Sequence, residues 1–141
     1  MLVREYKPED LSELQRIHRA QNFPYAFPDL QNPLFLTKIV LTDGKGPDEK
    51  ICGAALLRLT AEAYLLVDPS AGSPKQRWQS LLALHDAAQR DAWQRGLEDV
   101  HAWLPPTIAK KFGRRIARLG WLRDDAWTPY CKKLEPLETK S

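Results

Sequence analysis

The sequence predicts a single α/β domain, residues 1–141, in which helices flank a mixed, twisted sheet. Three observations favour this class. Short apolar runs rich in β-branched residues indicate strands, longer segments follow the helical period, and Pro and Gly residues separate the two kinds. Neighbouring strands followed by a strand–helix–strand unit combine antiparallel with parallel pairing, and this combination gives a mixed sheet.

The N-terminal part of the chain predicts a strand, a helix and an aromatic loop. Residues 2–6 are the strand, and the helix opens with Pro8 and two acidic residues, which suit a first helical turn. Its apolar face recurs at helical spacing as Leu11, Leu14, Ile17 and His18. The stretch QNFPYAFPDLQNP, residues 21–33, holds three prolines and three aromatics and predicts an ordered loop.

Three strands are then expected in an antiparallel meander, over residues 36–42, 51–59 and 63–67. The Gly, Pro and Asp residues of DGKGPDEK form the turn between the first two.

The C-terminal half predicts helix, strand, helix, strand, over residues 74–95, 99–104, 107–119 and 127–134. Pro74 suits the start of the first helix and Gly96 its left-handed end. The buried stripe of that helix is expected to hold Trp78, Leu81, Leu82, His85 and Ala92.

Charge, cysteine content and hydropathy argue against several classes of protein. The net charge of +3 is far below that of a dedicated nucleic-acid protein. Cys52 and Cys131 belong to no Cys/His cluster, so we expect two buried free thiols, no metal site and a reducing compartment. The charged start MLVREYKPEDL and the lack of an apolar run of about 20 residues predict a cytoplasmic protein without a membrane span.

The stretch VDPSAGSPKQRW, residues 67–78, is a candidate anion site because it joins a strand to a helix start. Unpaired backbone N–H groups and the positive end of the helix dipole converge at such a turn. Lys75 and Arg77 are unfavourable to the dipole there, and this favours an anionic partner, which a guanidinium can clamp. The alternative is a solvated pair of cations.

Together with the element order, three stretches resemble the GCN5-related N-acetyltransferase superfamily: YLLVDP with the helix after it, GLEDVHAWLPP, and FGRRIARLGW. The resemblance extends from VREYKPEDLSEL to LGWLRDDAWTPYCKKL, nearly the whole chain. It implies an acetyltransferase-type fold, acetyl-CoA or another acyl-CoA as co-substrate, and a small-molecule or peptide amine as acceptor.

Two features depart from the family pattern. Gln76 and Trp78 stand where the family's pyrophosphate loop has small residues, which let the backbone approach phosphate oxygens. Ile116 stands where the family often has a Tyr that protonates the departing thiolate. A thiol with a pKa of about 8.5 leaves without much help, so this loss slows the reaction more than it abolishes it.

The resemblance also implies site residues. The cofactor-binding residues would be Leu66, Val67, Ser73, Lys75, Gln76, Arg77 and Trp78. Glu62 would be the base that takes the amine proton, although its register is about one residue off; a simply exposed strand-end Glu is the alternative. The loop aromatics Phe23, Tyr25 and Phe27 would line the acceptor pocket, or else cap the sheet.

Other candidates have simpler interpretations. Tyr64 is expected in the core, with the acceptor pocket as the alternative, and His85 is expected in the core, with a catalytic role as the alternative. His101 would face the sheet opening if strand alternation places Val100 and Ala102 on the opposite face. The helix over 107–119 is amphipathic, and a solvated face is the usual explanation for its cations, which are Lys110, Lys111, Arg114, Arg115 and Arg118.

The sequence therefore supports two classes of function. One is a divergent acyl-CoA-dependent N-acyltransferase, and the other is a non-catalytic ligand-binding or interaction module with the same fold. Nucleic-acid binding is not favoured, because the basic helix face has no accompanying array of stacking aromatics. The oligomeric state stays open, a dimer included.

Overall fold

The computed structural model describes residues 1–125 and 127–137. The chain is a mixed α/β protein that divides into two compact units, Met1–Ala102 and Trp103–Ser141. We call them the N-terminal and the C-terminal unit.

An antiparallel sheet organises the N-terminal unit. Its strands are β1 (Leu2–Glu5), β2 (Phe35–Asp43) and β3 (Lys50–Arg58), in the order β1-β2-β3. In the register, Val3 lies opposite Leu41 and Val40 lies opposite Ala54. The turn between β2 and β3 contains a short 3₁₀ segment, Gly46–Asp48, as its Gly and Pro content favours.

Helix α1 (Leu11–Gln21) covers this sheet and encloses the core. A 3₁₀ turn, Pro8–Asp10, precedes it, and Asn22 ends it in the left-handed conformation with φ of 56°. Leu14, Leu30 and Val40 are buried. Seven half-buried apolar residues pack around them: Tyr6, Leu11, Ile17, Phe27, Phe35, Ile51 and Leu56.

A polar network fixes the start of α1 to the sheet. The Arg4 guanidinium donates to both carboxylate oxygens of Asp10, over 2.9 and 3.0 Å, and to Glu49 Oε1 over 2.9 Å. The Lys7 backbone N–H also donates to Asp10, over 2.8 Å. The Asp10 side chain is only 8% exposed, so these bonds compensate a desolvated carboxylate.

A parallel strand pair with a crossover helix completes the N-terminal unit. Strand β4 (Ala61–Glu62) pairs in parallel with β5 (Val100–His101), and α2 (Pro74–Gln94) connects them. Gly96 follows α2 with φ of 83°, as its left-handed end requires. The predicted stripe on α2 is half-buried at Trp78, Leu81, Leu82, His85 and Ala92.

Arg58, at the end of β3, joins the sheet to the segment that enters β5. Its guanidinium contacts Glu98 Oε2 at 3.1 Å and Asp99 Oδ2 at 3.2 Å. From the aromatic loop, the Asn32 amide donates to Glu98 Oε1 over 2.6 Å. Residues at least 40 positions apart in the sequence therefore meet at one point.

The C-terminal unit contains helix α3 (Pro106–Ala117), which Gly120 follows with φ of 95°. The helix is amphipathic as predicted. Phe112, Ile116 and Leu119 are half-buried, and all five predicted cations are exposed. The helical period places Ile108 on the same face as Phe112 and Ile116, but Ile108 is 43% exposed.

The predicted single mixed sheet is wrong, because the strands form two separate groups. Residues 63–67 are not a strand; the chain pairs two residues earlier, with β5 instead of β3. Strand β5 stops at His101 instead of reaching residue 104, because its partner β4 ends at Glu62, which lies opposite His101. Residues 127–134 are also not a strand, since the structure gives them no partner within its described residues.

Both cysteines are free, as predicted, but both are exposed, so the prediction of buried thiols is wrong. Cys52 lies on β3, where its thiol contacts the Lys50 carbonyl at 3.7 Å, and Cys131 lies outside any regular element. Among the described helices, none has the length and apolar character of a membrane span.

Candidate functional site

The start of α2 is closed by its own side chains. Ser73 Oγ accepts from the Gln76 backbone N–H over 3.1 Å, and Gln76 Oε1 accepts from the Ser73 N–H over 2.8 Å. This reciprocal capping box binds two of the donors that an open helix start offers to an anion. Pro74 has no N–H, so the Lys75 N–H is the first-turn donor that the box does not use.

Gly72 and Arg77 tighten the same turn. Gly72 has φ of 65°, and a Cβ there would collide with Gln76 Oε1. The Arg77 guanidinium donates to the Gly72 carbonyl over 2.8 Å, which leaves its other N–H groups for a ligand. Gln76, which stands where the family has a glycine, thus binds a backbone donor of this turn and fills the space beside Gly72. The cationic side chains of the turn remain next to it.

The segment that leads into this turn is largely exposed. Leu66 is 87% exposed, whereas Val67 is half-buried. Asp68 accepts from the backbone N–H and the hydroxyl of Ser70, over 2.9 and 2.8 Å. The Ser70 backbone bond, followed by its hydroxyl bond, holds the pKa of Asp68 below its usual value.

Glu62 lies on an exposed face of the parallel strand pair with two other titratable side chains. Its strand partner is His101, so both project from the same face, while Ala61 and Val100 are half-buried on the other. The Tyr64 hydroxyl donates to Glu62 Oε1 over 2.9 Å. The ladder ends where the Ala63 N–H donates to the His101 carbonyl over 2.7 Å.

The Glu62–Tyr64 pair has acid–base character. The hydrogen bond to Glu62 raises the pKa of Tyr64, because a phenolate beside a carboxylate is disfavoured. Tyr64 therefore stays a proton donor at neutral pH, and Glu62 is its acceptor. Tyr64 is 77% exposed, which corrects the prediction that it lies in the core.

His101 is exposed, as the predicted strand alternation requires, with half-buried Val100 and Ala102 beside it. Its Nε2 lies 3.6 Å from Asp99 Oδ2.

The aromatic loop contributes to a separate pocket between α1 and the antiparallel sheet. Tyr25 and Phe27 line it, and the His18 ring meets both edge-to-face, at centroid distances of 5.0 and 5.6 Å. Phe23 is 53% exposed and stacks on Tyr25 at 6.0 Å. Two of the three aromatics predicted to bind substrate thus line one cavity, and the third extends the cluster.

Sequence analysis missed several residues of this pocket. It placed His18 only on an apolar helix face and Cys52 only as a buried thiol. Both line the cavity, as does Phe35 at the start of β2. A histidine on the apolar face of a helix that precedes an aromatic loop is the signal that could have identified it.

Within the described residues, no three His, Cys, Asp or Glu side chains gather as metal ligands would. The resemblance to acetyltransferases rests on the stretches and the element order given above. The chain matches no protein-family model, no curated protein and no solved structure.

Proposed function

We propose that the chain transfers an acyl group from acyl-CoA to an amine, with Glu62 as the base. The observation that supports this most is the end of the parallel strand pair. There, an exposed carboxylate bonded to a phenol lies directly before an unpaired segment that leads to a cationic helix start. The acid–base group and the candidate phosphate site are thus consecutive along the chain.

The cofactor would be bound mainly by side chains. The capping box occupies the backbone donors of Ser73 and Gln76, so Lys75 and Arg77 would hold the pyrophosphate. The exposed backbone near Leu66 and Val67 would bind the pantetheine arm and polarise the thioester carbonyl. Trp78, half-buried on α2, keeps its predicted place beside the cofactor in this proposal.

The transfer itself would be direct. The amine nitrogen forms a bond to the acyl carbon, the carbon–sulfur bond breaks, and coenzyme A leaves as the thiolate. Glu62 accepts the proton that the nitrogen loses. Tyr64 donates its hydrogen bond to Glu62 and thereby orients the carboxylate. An acceptor role for Phe23, Tyr25 and Phe27 stays a prediction.

Calorimetric titration of acetyl-CoA into the purified protein tests the cofactor part. We expect micromolar binding that Arg77→Ala weakens at least tenfold, since a charge-assisted hydrogen bond contributes about 1.5–3 kcal/mol. Arg90→Ala is the matched control, because Arg90 lies on the same helix and pairs with Asp86. Absence of binding at millimolar acetyl-CoA would refute the proposal.

A second variant tests the capping box. Gln76→Ala frees the Ser73 N–H and removes the side chain that fills the turn beside Gly72. If phosphate competes with Gln76 for this donor, acetyl-CoA binds more tightly to Gln76→Ala than to the parent. Unchanged binding would place the phosphate elsewhere, and weaker binding would indicate that the Gln76 side chain itself contacts the cofactor.

Turnover is tested by following release of the coenzyme A thiol with a panel of amines. Glu62→Gln should lower kcat and leave acetyl-CoA affinity unchanged, because the amide cannot accept the proton. Unchanged kcat in Glu62→Gln would exclude this residue as the base.

The second candidate is a non-catalytic binding module. The capping box favours it, because a helix start whose donors are already bound is stable without a ligand. In this alternative the chain releases no coenzyme A thiol with any amine, and its ligand occupies a different part of the N-terminal unit.

A further inference from the structure

Helix α3 carries charge of one sign only. Its sequence, PTIAKKFGRRIA, contains Lys and Arg but no Asp or Glu, and a further cation follows it. The exposed cations, which we call the basic face, are Lys110, Lys111, Arg114, Arg115 and Arg118. Several of them lie four residues apart, where like charges repel each other and destabilise a helix.

Helix α2 shows the usual arrangement of exposed charges. Arg90 contacts Asp86 and Arg95 contacts Asp91, each at 2.9 Å and each one turn along the helix. Such pairs compensate the cations of a helix that faces water. The composition of α3 does not permit this compensation within the helix.

The helix dipole accounts for only part of the charge on α3. It favours cations in the last turn, where Arg114 and Arg115 lie. Lys110 and Lys111 lie in the first half of the helix, where the dipole does not favour them. Charge complementarity therefore favours an anionic partner outside the helix.

Exposed apolar side chains accompany the basic face. Ile108 lies three residues before Lys111 and seven before Arg115, so it borders that face, and it is 43% exposed. Just before the helix, Trp103 is 62% and Leu104 38% exposed. Aliphatic side chains gain little from a nucleic-acid backbone, whereas the boundary between headgroups and acyl chains of a bilayer accommodates both them and Trp.

We propose that α3 docks the chain on the surface of a lipid bilayer that contains anionic phospholipids. The basic face binds the anionic headgroups, and Ile108, with Trp103 and Leu104, enters the headgroup region. The helix has 12 residues and lies along the surface, since a span needs about 20. The inference does not rest on acyl transfer, because α3 belongs to the C-terminal unit and the candidate acyl-transfer residues to the N-terminal unit.

The first test is sedimentation of the full chain with vesicles. We expect binding to an equal mixture of phosphatidylcholine and phosphatidylserine, none to phosphatidylcholine alone, and release as salt screens the charges. Each cation near an anionic surface raises the affinity about fivefold, so Arg114→Gln/Arg118→Gln should lower it about 25-fold. The matched control, Arg90→Gln/Arg95→Gln, removes the same charge from α2 and should change it less than about twofold. Equal losses in the two variants would overturn the proposal.

A second variant separates a bilayer from other polyanions. Ile108→Ser should weaken binding to the phosphatidylserine vesicles about threefold and leave retention on immobilised duplex DNA unchanged, because only a bilayer takes up the apolar side chain. Circular dichroism checks that each variant keeps the helix content of the parent. Unchanged vesicle affinity in Ile108→Ser would overturn the proposal. Binding to DNA but to neither kind of vesicle would also overturn it and would assign the basic face to nucleic acid.

Discussion

Asp10 is a buried carboxylate that accepts two hydrogen bonds from Arg4 and one from the Lys7 backbone. Replacing a buried ion-pair partner leaves the other charge uncompensated, and this costs more than the pair itself contributes. At Asp10 the uncompensated group would be the Arg4 guanidinium, whose side chain is 20% exposed.

We therefore expect Asp10→Asn to lower the free energy of unfolding by about 2 kcal/mol at neutral pH. Urea denaturation followed by circular dichroism measures the loss. Glu13→Gln is the matched control: it breaks the exposed pair with Arg16, where both side chains are over 40% exposed, and should cost less than about 0.5 kcal/mol. Similar losses in both variants would contradict a special role for burial.

The same residue predicts a pH dependence. Hydrogen bonds from Arg4 hold the pKa of Asp10 below its usual value. A carboxyl whose pKa is lower in the folded than in the unfolded state stabilises the fold above about pH 4, and this contribution disappears as the pH falls through the folded value. The stabilities of parent and Asp10→Asn should therefore converge on acidification, and a constant difference down to about pH 2 would refute this origin.

Tyr64 offers a direct check on the Glu62 pair. Because the hydrogen bond to Glu62 raises the pKa of Tyr64, Glu62→Gln should lower that pKa toward the usual tyrosine value. Phenolate absorbance against pH measures the shift. In a Tyr64→Phe background, Glu62→Gln should leave the titration curve unchanged, which assigns the shift to this tyrosine.

At the residue scale, the sequence indicates which residue types recur and at what spacing, but it indicates far less well which side chains surround each of them. Glu62 was placed just before a strand predicted over residues 63–67, whereas it lies within β4. The exposure of His101 followed from strand alternation. The orientation of Tyr64 did not, because alternation gives two faces without saying which one is covered. The cavity at His18 depends on contacts between α1 and β3, which are distant in sequence.

At the element scale, α2 shows how local chemistry sets a boundary. Pro74 and Gly96 predicted its limits to within one residue, because both act through their own backbone conformations. The capping box was missed, since Gln76 was considered as a replaced glycine and not as a partner of Ser73.

A double-mutant cycle measures that box. Gly72→Ala should cost about 1–2 kcal/mol for the left-handed backbone and should also displace Gln76, so Gln76→Ala should then cost almost nothing more. In the parent, Gln76→Ala should cost about 0.5–1 kcal/mol. Gly96→Ala, also left-handed but with open space around its Cα, should be additive with Gln76→Ala. Additivity at Gly72 would contradict the contact.

At the scale of the whole molecule, the strands at 63–67 and 127–134 were predicted from composition and are absent. A strand needs a neighbour, and sequence pattern specifies the neighbour far less well than the strand. A parallel strand pair joined by a helix was predicted, because such a connection restricts the geometry, but it forms at Ala61–Glu62, two residues before the predicted strand.

Amide hydrogen exchange tests whether residues 127–134 lack the protection of a paired strand. Amides of β2 should exchange slowly, because β2 is the central strand of its sheet. Amides of residues 127–134 should exchange far faster, since those residues belong to no helix or strand. Mass spectrometry of peptides from the full chain measures both regions, and protection over 127–134 equal to that of β2 would restore the predicted strand.

The contacts of Arg58 with Glu98 and Asp99 have a consequence for chain length. The segment between them, which contains β4 and α2, begins and ends at nearly the same place in the structure. Because its ends are close together, inserting residues into it changes the free energy of folding little; each doubling of a flexible loop costs about 0.6 kcal/mol. Residues 59–97 are therefore where versions of this protein with longer or shorter chains would differ most readily, while the antiparallel sheet and α1 keep their size.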